Sequence, residues 1–237
     1  MAKKPPMQKI GAALNHNKIY FGALAITLAA VTFFLVLNGK ENAFISLNSY
    51  HSFYLNVFFI NYTFMGDGIF ALCLVAVVLF YFKKKKLGFA LLYSFLISGL
   101  AAQLIKNLVN SPRPKLYFEA GTYLNFIDGV TLSNHSGFPS GHTATAFAIA
   151  TVLVLMMKNK KLQLLILLAA ILVGYSRIYL AQHFLLDVIA GALLGSISGL
   201  LAFYIAQNSI HIKALFKKVY RVTAATSGSS PSVIQTA

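Results

Sequence analysis

Three short polar clusters in this chain have spacings that packing alone does not explain. The first is Lys106-Asn107-Leu108-Val109-Asn110-Ser111-Pro112-Arg113-Pro114. The second, Pro139-Ser140-Gly141-His142, leads straight into an apolar run, and the third places Ser176-Arg177 ahead of His183, with Asp187 four residues beyond it. Lys106 offers a point charge and Arg113 a planar fork of donors, a pairing that suits phosphate oxygens. Ser140 and Gly141 stand at a predicted helix N-terminus, where free N–H groups and the positive end of the dipole favour an anion. Gly141 also lets the backbone approach a ligand with no side chain in the way. His183 and Asp187, four apart on a predicted helix, share a face. The carboxylate can then accept a hydrogen bond from the N–H of one ring nitrogen and leave the lone pair of the other exposed, as an activated nucleophile requires.

Taken singly, each cluster has a plainer reading. Lys106 and Arg113 could be cations snorkelling to headgroups, Ser140 a helix cap, and His183 with Asp187 a capping pair. His142 is the residue a cap does not need.

The elements that must position these residues follow from composition. The chain has 237 residues, of which 58% are hydrophobic and 11% charged, with no Trp. That is too apolar for a soluble domain of this size and points to an integral membrane protein. Six apolar stretches, 19–37, 64–82, 87–108, 141–157, 162–180 and 184–206, each approach the roughly 20 residues a helix needs to cross the hydrocarbon. The predicted fold is all-α: a polytopic membrane bundle of six transmembrane helices.

Lysines set the orientation. Lys3, Lys4, Lys9 and Lys18 precede the first span, Lys83 to Lys86 join the second and third, and Lys158, Lys160 and Lys161 join the fourth and fifth. Lys213, Lys217, Lys218 and Arg221 follow the sixth. These are alternate loops, so the positive-inside rule puts both termini in the cytoplasm. Lys106, Arg113 and Arg177 then fall on the outer side, as do all five acids: Glu41, Asp67, Glu119, Asp128 and Asp187. The net charge of +15 is mainly an inner collar, explained by topology and anionic lipid and not by nucleic acid.

Residues 1–18 read as a basic cytoplasmic segment, 19–206 as one membrane domain, and 207–237 as a basic then disordered tail. The first apolar run has no small-x-small cleavage site after it and reads as a retained span. Cys73 is a single cysteine inside the second span and reads as packing. Asp67, between Gly66 and Gly68, is either a substrate contact or a helix-end cap.

Orientation derived from lysines alone puts all three polar clusters at one outer level of the membrane. Lys-x6-Arg-Pro, then Pro-Ser-Gly-His, then Ser-Arg-x5-His-x3-Asp resembles the three-part signature of the type 2 phosphatidic acid phosphatase superfamily. All three parts are complete and in order, from Lys106 to Asp187. The resemblance implies that His183 attacks phosphorus to form a phosphohistidine, that Asp187 orients it, and that His142 protonates the leaving oxygen. It implies that Lys106, Arg113, Ser140, Gly141 and Arg177 hold the phosphoryl oxygens. Phosphoryl transfer depends mainly on positioning and charge stabilisation, which three cations and a helix N-terminus supply.

A metal site is the competing reading for His135, His142, His183 and Asp187. Lys106, Arg113 and Arg177 oppose it, because they repel a divalent ion and attract an anion. No metal and no cofactor is therefore expected, and His135 is read as a loop residue or substrate contact. The expected activity is hydrolysis of a lipid phosphate or diphosphate on the outer leaflet. Alternatives are phosphoryl transfer to a second lipid, a vanadate-dependent haloperoxidase, which resembles the same signature but is typically soluble, and a transporter or scaffold. The resemblance suggests undecaprenyl diphosphate, phosphatidylglycerol phosphate, phosphatidic acid or a lipid A phosphate as substrate, selected by the outer loop 38–62 and the segment 115–138. With no appended domain recognised, the expected setting is a bacterial cytoplasmic membrane with the site facing the periplasm.

Overall fold

The computed structural model describes residues 6–118, 127, 130, 136–157, 159 and 161–208. All its regular elements are helices: α1 (Pro6–His16), α2 (Lys18–Asn48), α3 (Phe53–Tyr62), α4 (Gly68–Ala76), α5 (Lys85–Val109), α6 (Pro114–Tyr117), α7 (Gly141–Met156), α8 (Lys161–Tyr179) and α9 (Leu185–Asn208). A 3-10 turn (Thr63–Gly66) joins α3 to α4, and a π-helical stretch (Val77–Tyr81) follows α4.

A short apolar helix, α7, holds the centre. From Thr143 to Val152 every residue of α7 is buried, against α5, α8, α9 and the 3-10 turn. A helix apolar all round belongs inside a bundle, and α7 is. Its 16 residues match the stretch expected at 141–157 to within one residue and span about 24 Å, less than the hydrocarbon thickness.

What brings α7 so close to α9 is a stripe of glycines one turn apart. A methyl on Gly191 would sit 2.6 Å from the Ser140 carbonyl oxygen, and one on Gly199 would sit 2.7 Å from that of Ala148. Between them, a methyl on Gly195 would run into the carbonyl of Ala144. Small residues at this spacing let two backbones touch, which in lipid is a main source of helix association. The pairing order 191 with 140, 195 with 144 and 199 with 148 shows that the two helices run parallel and begin side by side.

The helices α2, α5, α8 and α9 are each long and apolar enough to cross a membrane. The expected second span is different in form. In place of one helix over 64–82, Phe53–Gly66 and Gly68–Tyr81 make a pair bent by 60°. The break is at Asp67, whose carboxylate accepts from the Ile69 N–H at 2.7 Å and caps α4. The outer loop expected over 38–62 is also mostly helical. Gly39, with φ 73°, kinks α2, which then resumes to Asn48. This second part is amphipathic: Ala43, Phe44 and Asn48 are buried, and the Asn48 amide donates to the carbonyls of Ile178 (3.0 Å) and Tyr179 (2.9 Å), closing the end of α8. The polar run Asn38-Gly39-Lys40-Glu41 reads as a helix end because it interrupts the apolar run, yet only Gly39 leaves helical geometry.

Candidate active site

The short loop 136–140 ties the three clusters together through its backbone. Gly137 N–H donates to the Ser111 carbonyl (2.8 Å), beside Arg113, and Ser140 N–H donates to the Asp187 carbonyl (3.0 Å). The Gly137 carbonyl in turn lies 2.7 Å from Nδ1 of His183. Gly137 fits so tightly that a methyl on it would stand 3.2 Å from the Pro112 carbonyl oxygen and 3.3 Å from Cγ of Arg113.

His183 lies in the turn between α8 and α9 and is 2% exposed. Ala181, with φ 53°, reverses the chain there, and the N–H groups of Gln182 and His183 both bond the Arg177 carbonyl, at 2.9 and 3.1 Å. The backbone of one site residue thus anchors the other. The expected helical face shared by His183 and Asp187 is not how they meet, because α9 begins only at Leu185. Asp187 folds back to accept from the Phe184 N–H (2.9 Å), which leaves its Oδ2 3.5 Å from His183 Nδ1. The nearest acceptor for the ring proton is therefore the Gly137 carbonyl. A carbonyl cannot donate, so Nδ1 carries the proton and Nε2 keeps its lone pair. Burial, followed by the positive charges of Arg177, Arg113 and Lys106, holds the imidazole well below its ordinary protonation range, against the opposing pull of the Gly137 carbonyl.

The cations come from three elements. Lys106 is in the last turn of α5, and its Nζ would lie 3.8 Å from a methyl placed on Gly141, so the ammonium stands over the start of α7. The helix stops after Lys106 at Asn110, which is in left-handed geometry (φ 41°), ahead of Pro112 and Pro114. Arg113 is extended, caps α6 without a side-chain bond, and donates from Nη1 to Gln182 Oε1 at 3.0 Å. Arg177, 7% exposed, donates from Nη1 to Thr63 Oγ1 at 2.6 Å. Its Nε is buried with no hydrogen-bond partner among the described residues. A buried guanidinium donor so placed is costly unless an acceptor meets it.

Ser140, fully buried, is both a cap and a candidate ligand. Its Oγ accepts from Thr143 N–H (3.4 Å) and Thr143 Oγ1 (2.8 Å), which leaves its own proton to donate. His142 is about a third exposed, with Nε2 3.7 Å from Asp67 Oδ2. His135 lies outside the described residues, as does most of the segment 115–138. Among the described residues, no group of three or more His, Cys, Asp or Glu side chains could hold a metal ion.

Sequence reasoning missed four contributors. The Gly137 carbonyl is backbone and has no signature of its own. Thr63 and Thr143 look like ordinary polar residues in apolar helices. Gln182, adjacent to His183 in an apolar turn, was a readable signal.

Residues 87–211 match the model of the PAP2 superfamily. The chain is 36% identical over 121 residues to an undecaprenyl-diphosphatase of Sulfolobus acidocaldarius, covering 51% of this chain and 56% of that protein. Among solved structures it is similar to LpxE of Aquifex aeolicus, with TM-score 0.61, 33% identity, and coverage of 69% of this chain and 93% of that one. It is also similar to a transmembrane PAP2 type phosphatidylglycerolphosphate phosphatase from Bacillus subtilis, with TM-score 0.56, 25% identity, and coverage of 81% and 94%. The chain spans roughly a third to just over half the length of the first curated relatives it matches. The family match takes in all three polar clusters and every helix that carries them; the chain belongs to the PAP2 superfamily.

Proposed function

We propose that the protein is an integral membrane phosphatase that hydrolyses a lipid phosphate or diphosphate through a phosphohistidine on His183. One observation carries this reading. A buried imidazole, protonated at Nδ1 and with its Nε2 lone pair free, shares its site with three cations and the N-terminus of α7. That arrangement suits attack on a phosphorus atom whose oxygens are held by positive charge.

In the first step Nε2 of His183 bonds to phosphorus and the bond from phosphorus to the lipid oxygen breaks, with His142 giving that oxygen a proton. In the second, water attacks phosphorus, His142 takes a proton from it, and the bond to Nε2 breaks. Arg177, Arg113 and Lys106 hold the phosphoryl oxygens, with Ser140 Oγ and the Gly141 N–H as donors. Asp187 shapes the turn that carries His183. No metal or cofactor enters either step.

The bundle crosses the membrane six times with both termini cytoplasmic, counting α7 and the bent pair α3–α4 as one span each. The site faces the periplasm of a bacterial cytoplasmic membrane, where the substrate keeps its tail in lipid and presents its phosphate at the interface. The names of the relatives support undecaprenyl diphosphate, phosphatidylglycerol phosphate and lipid A phosphates, and phosphatidic acid completes the substrate panel. The test is phosphate release by detergent-purified protein in EDTA across those four lipids, with His183→Ala beside wild type. Release from at least one lipid that disappears in the variant is expected. Release that survives in His183→Ala would remove the proposed nucleophile, and none from any lipid by folded wild type would remove the hydrolase reading.

A further inference from the structure

Beyond the three clusters, a fourth polar element reaches the site, the bend between α3 and α4. Thr63 at its start accepts from Arg177 at 2.6 Å. Gly66 near its end presses on the first turn of α7, where a methyl would come 2.7 Å from the His142 carbonyl oxygen and 2.7 Å from Cγ1 of Val173. Asp67 follows, and its two carboxylate oxygens have separate tasks: Oδ1 accepts from Ile69 N–H at 2.7 Å, and Oδ2 stands 3.7 Å from His142 Nε2. The cap fixes the carboxylate and so fixes which face it turns to the imidazole.

The charges around His142 make that face consequential. Asp67 is the carboxylate beside His142 in a site that also gathers Arg177 from α8, Lys106 from α5 and Arg113 from the loop after it. A general acid surrounded by cations gathered to hold phosphate needs a carboxylate to keep its proton.

We propose that Asp67 is a positioning residue for His142: it holds the Nε2 edge of the ring, so that Nδ1 faces the leaving oxygen, and its negative charge favours the protonated ring in the step in which that oxygen departs. This rests on His142 as the acid of the proposed reaction. At 3.7 Å the pair is within ion-pair range and too long for a hydrogen bond. Protonation of the ring draws it closer. When Nδ1 gives its proton to the lipid oxygen, the proton on Nε2 stays toward Asp67, and in the second step Nδ1 takes a proton from the attacking water.

Asp67→Asn separates this role from a structural one, because Asn caps a helix about as well as Asp and leaves α4 intact. The measurements are kcat and KM against pH for hexadecyl phosphate, which needs its leaving oxygen protonated, and for p-nitrophenyl phosphate, which needs this much less. Asp67→Glu and His142→Gln are assayed alongside, and thermal unfolding in detergent checks the fold. For Asp67→Asn, kcat on hexadecyl phosphate falls roughly tenfold or more while KM holds, and the loss on p-nitrophenyl phosphate is smaller. The alkaline limb of the kcat profile moves to lower pH, since the acid loses its proton sooner, and Asp67→Glu recovers part of both. Equal losses on the two esters with an unmoved alkaline limb would overturn the proposal, as would a raised KM with kcat unchanged, the mark of a substrate contact. If His142→Gln itself discriminates between the esters no more than wild type does, the acid assignment falls, and this is distinguishable from a failure of Asp67 alone.

Discussion

His183 Nδ1 and the carbonyl oxygen of Gly137 stand 2.7 Å apart, closer than the ring stands to its expected partner Asp187 at 3.5 Å. The contact that sets the imidazole tautomer therefore comes from the backbone of the loop ahead of α7. Asp187 acts one step back, by fixing the turn at Phe184. Loop 136–140 connects His183 to both other clusters, so displacing it disturbs all three.

If His183 is the nucleophile, wild type quenched in base during turnover of a phosphorus-labelled substrate retains label, and peptide mapping places it on His183. His183→Ala retains none, and its kcat falls by at least about a thousandfold.

The depressed protonation of His183 gives a signed pH dependence. Neutral imidazole is the reactive form, so the acid limb of kcat/KM lies below the ordinary histidine value of 6.5. Arg113 is one of the charges that lower it, so Arg113→Gln moves that limb to higher pH, although burial, the larger cause, keeps it depressed. Stability follows the same sign. As pH falls below the unfolded histidine value, the unfolded chain takes up a proton that folded His183 refuses, and detergent-solubilised protein loses thermal stability.

Gly195→Ala places a methyl against the Ala144 carbonyl and costs about 1–3 kcal/mol through separation of α7 from α9. Phosphate release falls with it, since those two helices carry His142 and Asp187. Gly22→Ala in α2, where a methyl would meet nothing within 4 Å, leaves stability unchanged or raises it by up to about 1 kcal/mol. Thermal unfolding of the two variants side by side checks the contrast.

Asn48→Ala removes the side-chain donor from the carbonyls of Ile178 and Tyr179 and costs about 1–3 kcal/mol. Hydrogen exchange is expected to rise most in the turn 180–184, which follows the carbonyls that Asn48 holds.

The side-chain chemistry of the site was largely legible in the sequence, because ionisable residues at the ends of apolar runs are costly to keep and mark function by default. Lys106, Arg113, Ser140, His142, Arg177, His183 and Asp187 all meet around one loop, as their placement at one membrane level predicted. What the sequence did not disclose is carried by backbone and by absent side chains. The Gly137 carbonyl looks like any other carbonyl until the fold delivers it. The spacing of Gly191, Gly195 and Gly199 was present to be read, but its partner helix was not. The helix past Gly39 was hidden because its apolar face is narrow, with Ala43, Phe44 and Leu47 set among polar neighbours. The bend at Asp67 was legible in part: a helix-end cap was one reading of Gly66-Asp67-Gly68, and the structure has it, but the apolar runs on both sides hid the angle between the two helices.

Because α7 and α9 run parallel and start side by side, their positive dipole ends do not cancel as antiparallel neighbours would; they add, next to Lys106, Arg113 and Arg177. The bundle thus concentrates like charge at one point, and an anion there serves as a counter-ion to the fold itself. In the proposed reaction, substrate, phosphoenzyme and released phosphate would meet that need in turn. Inorganic phosphate would meet the same charges as the substrate's phosphate, so in that reaction its departure is the step the architecture resists.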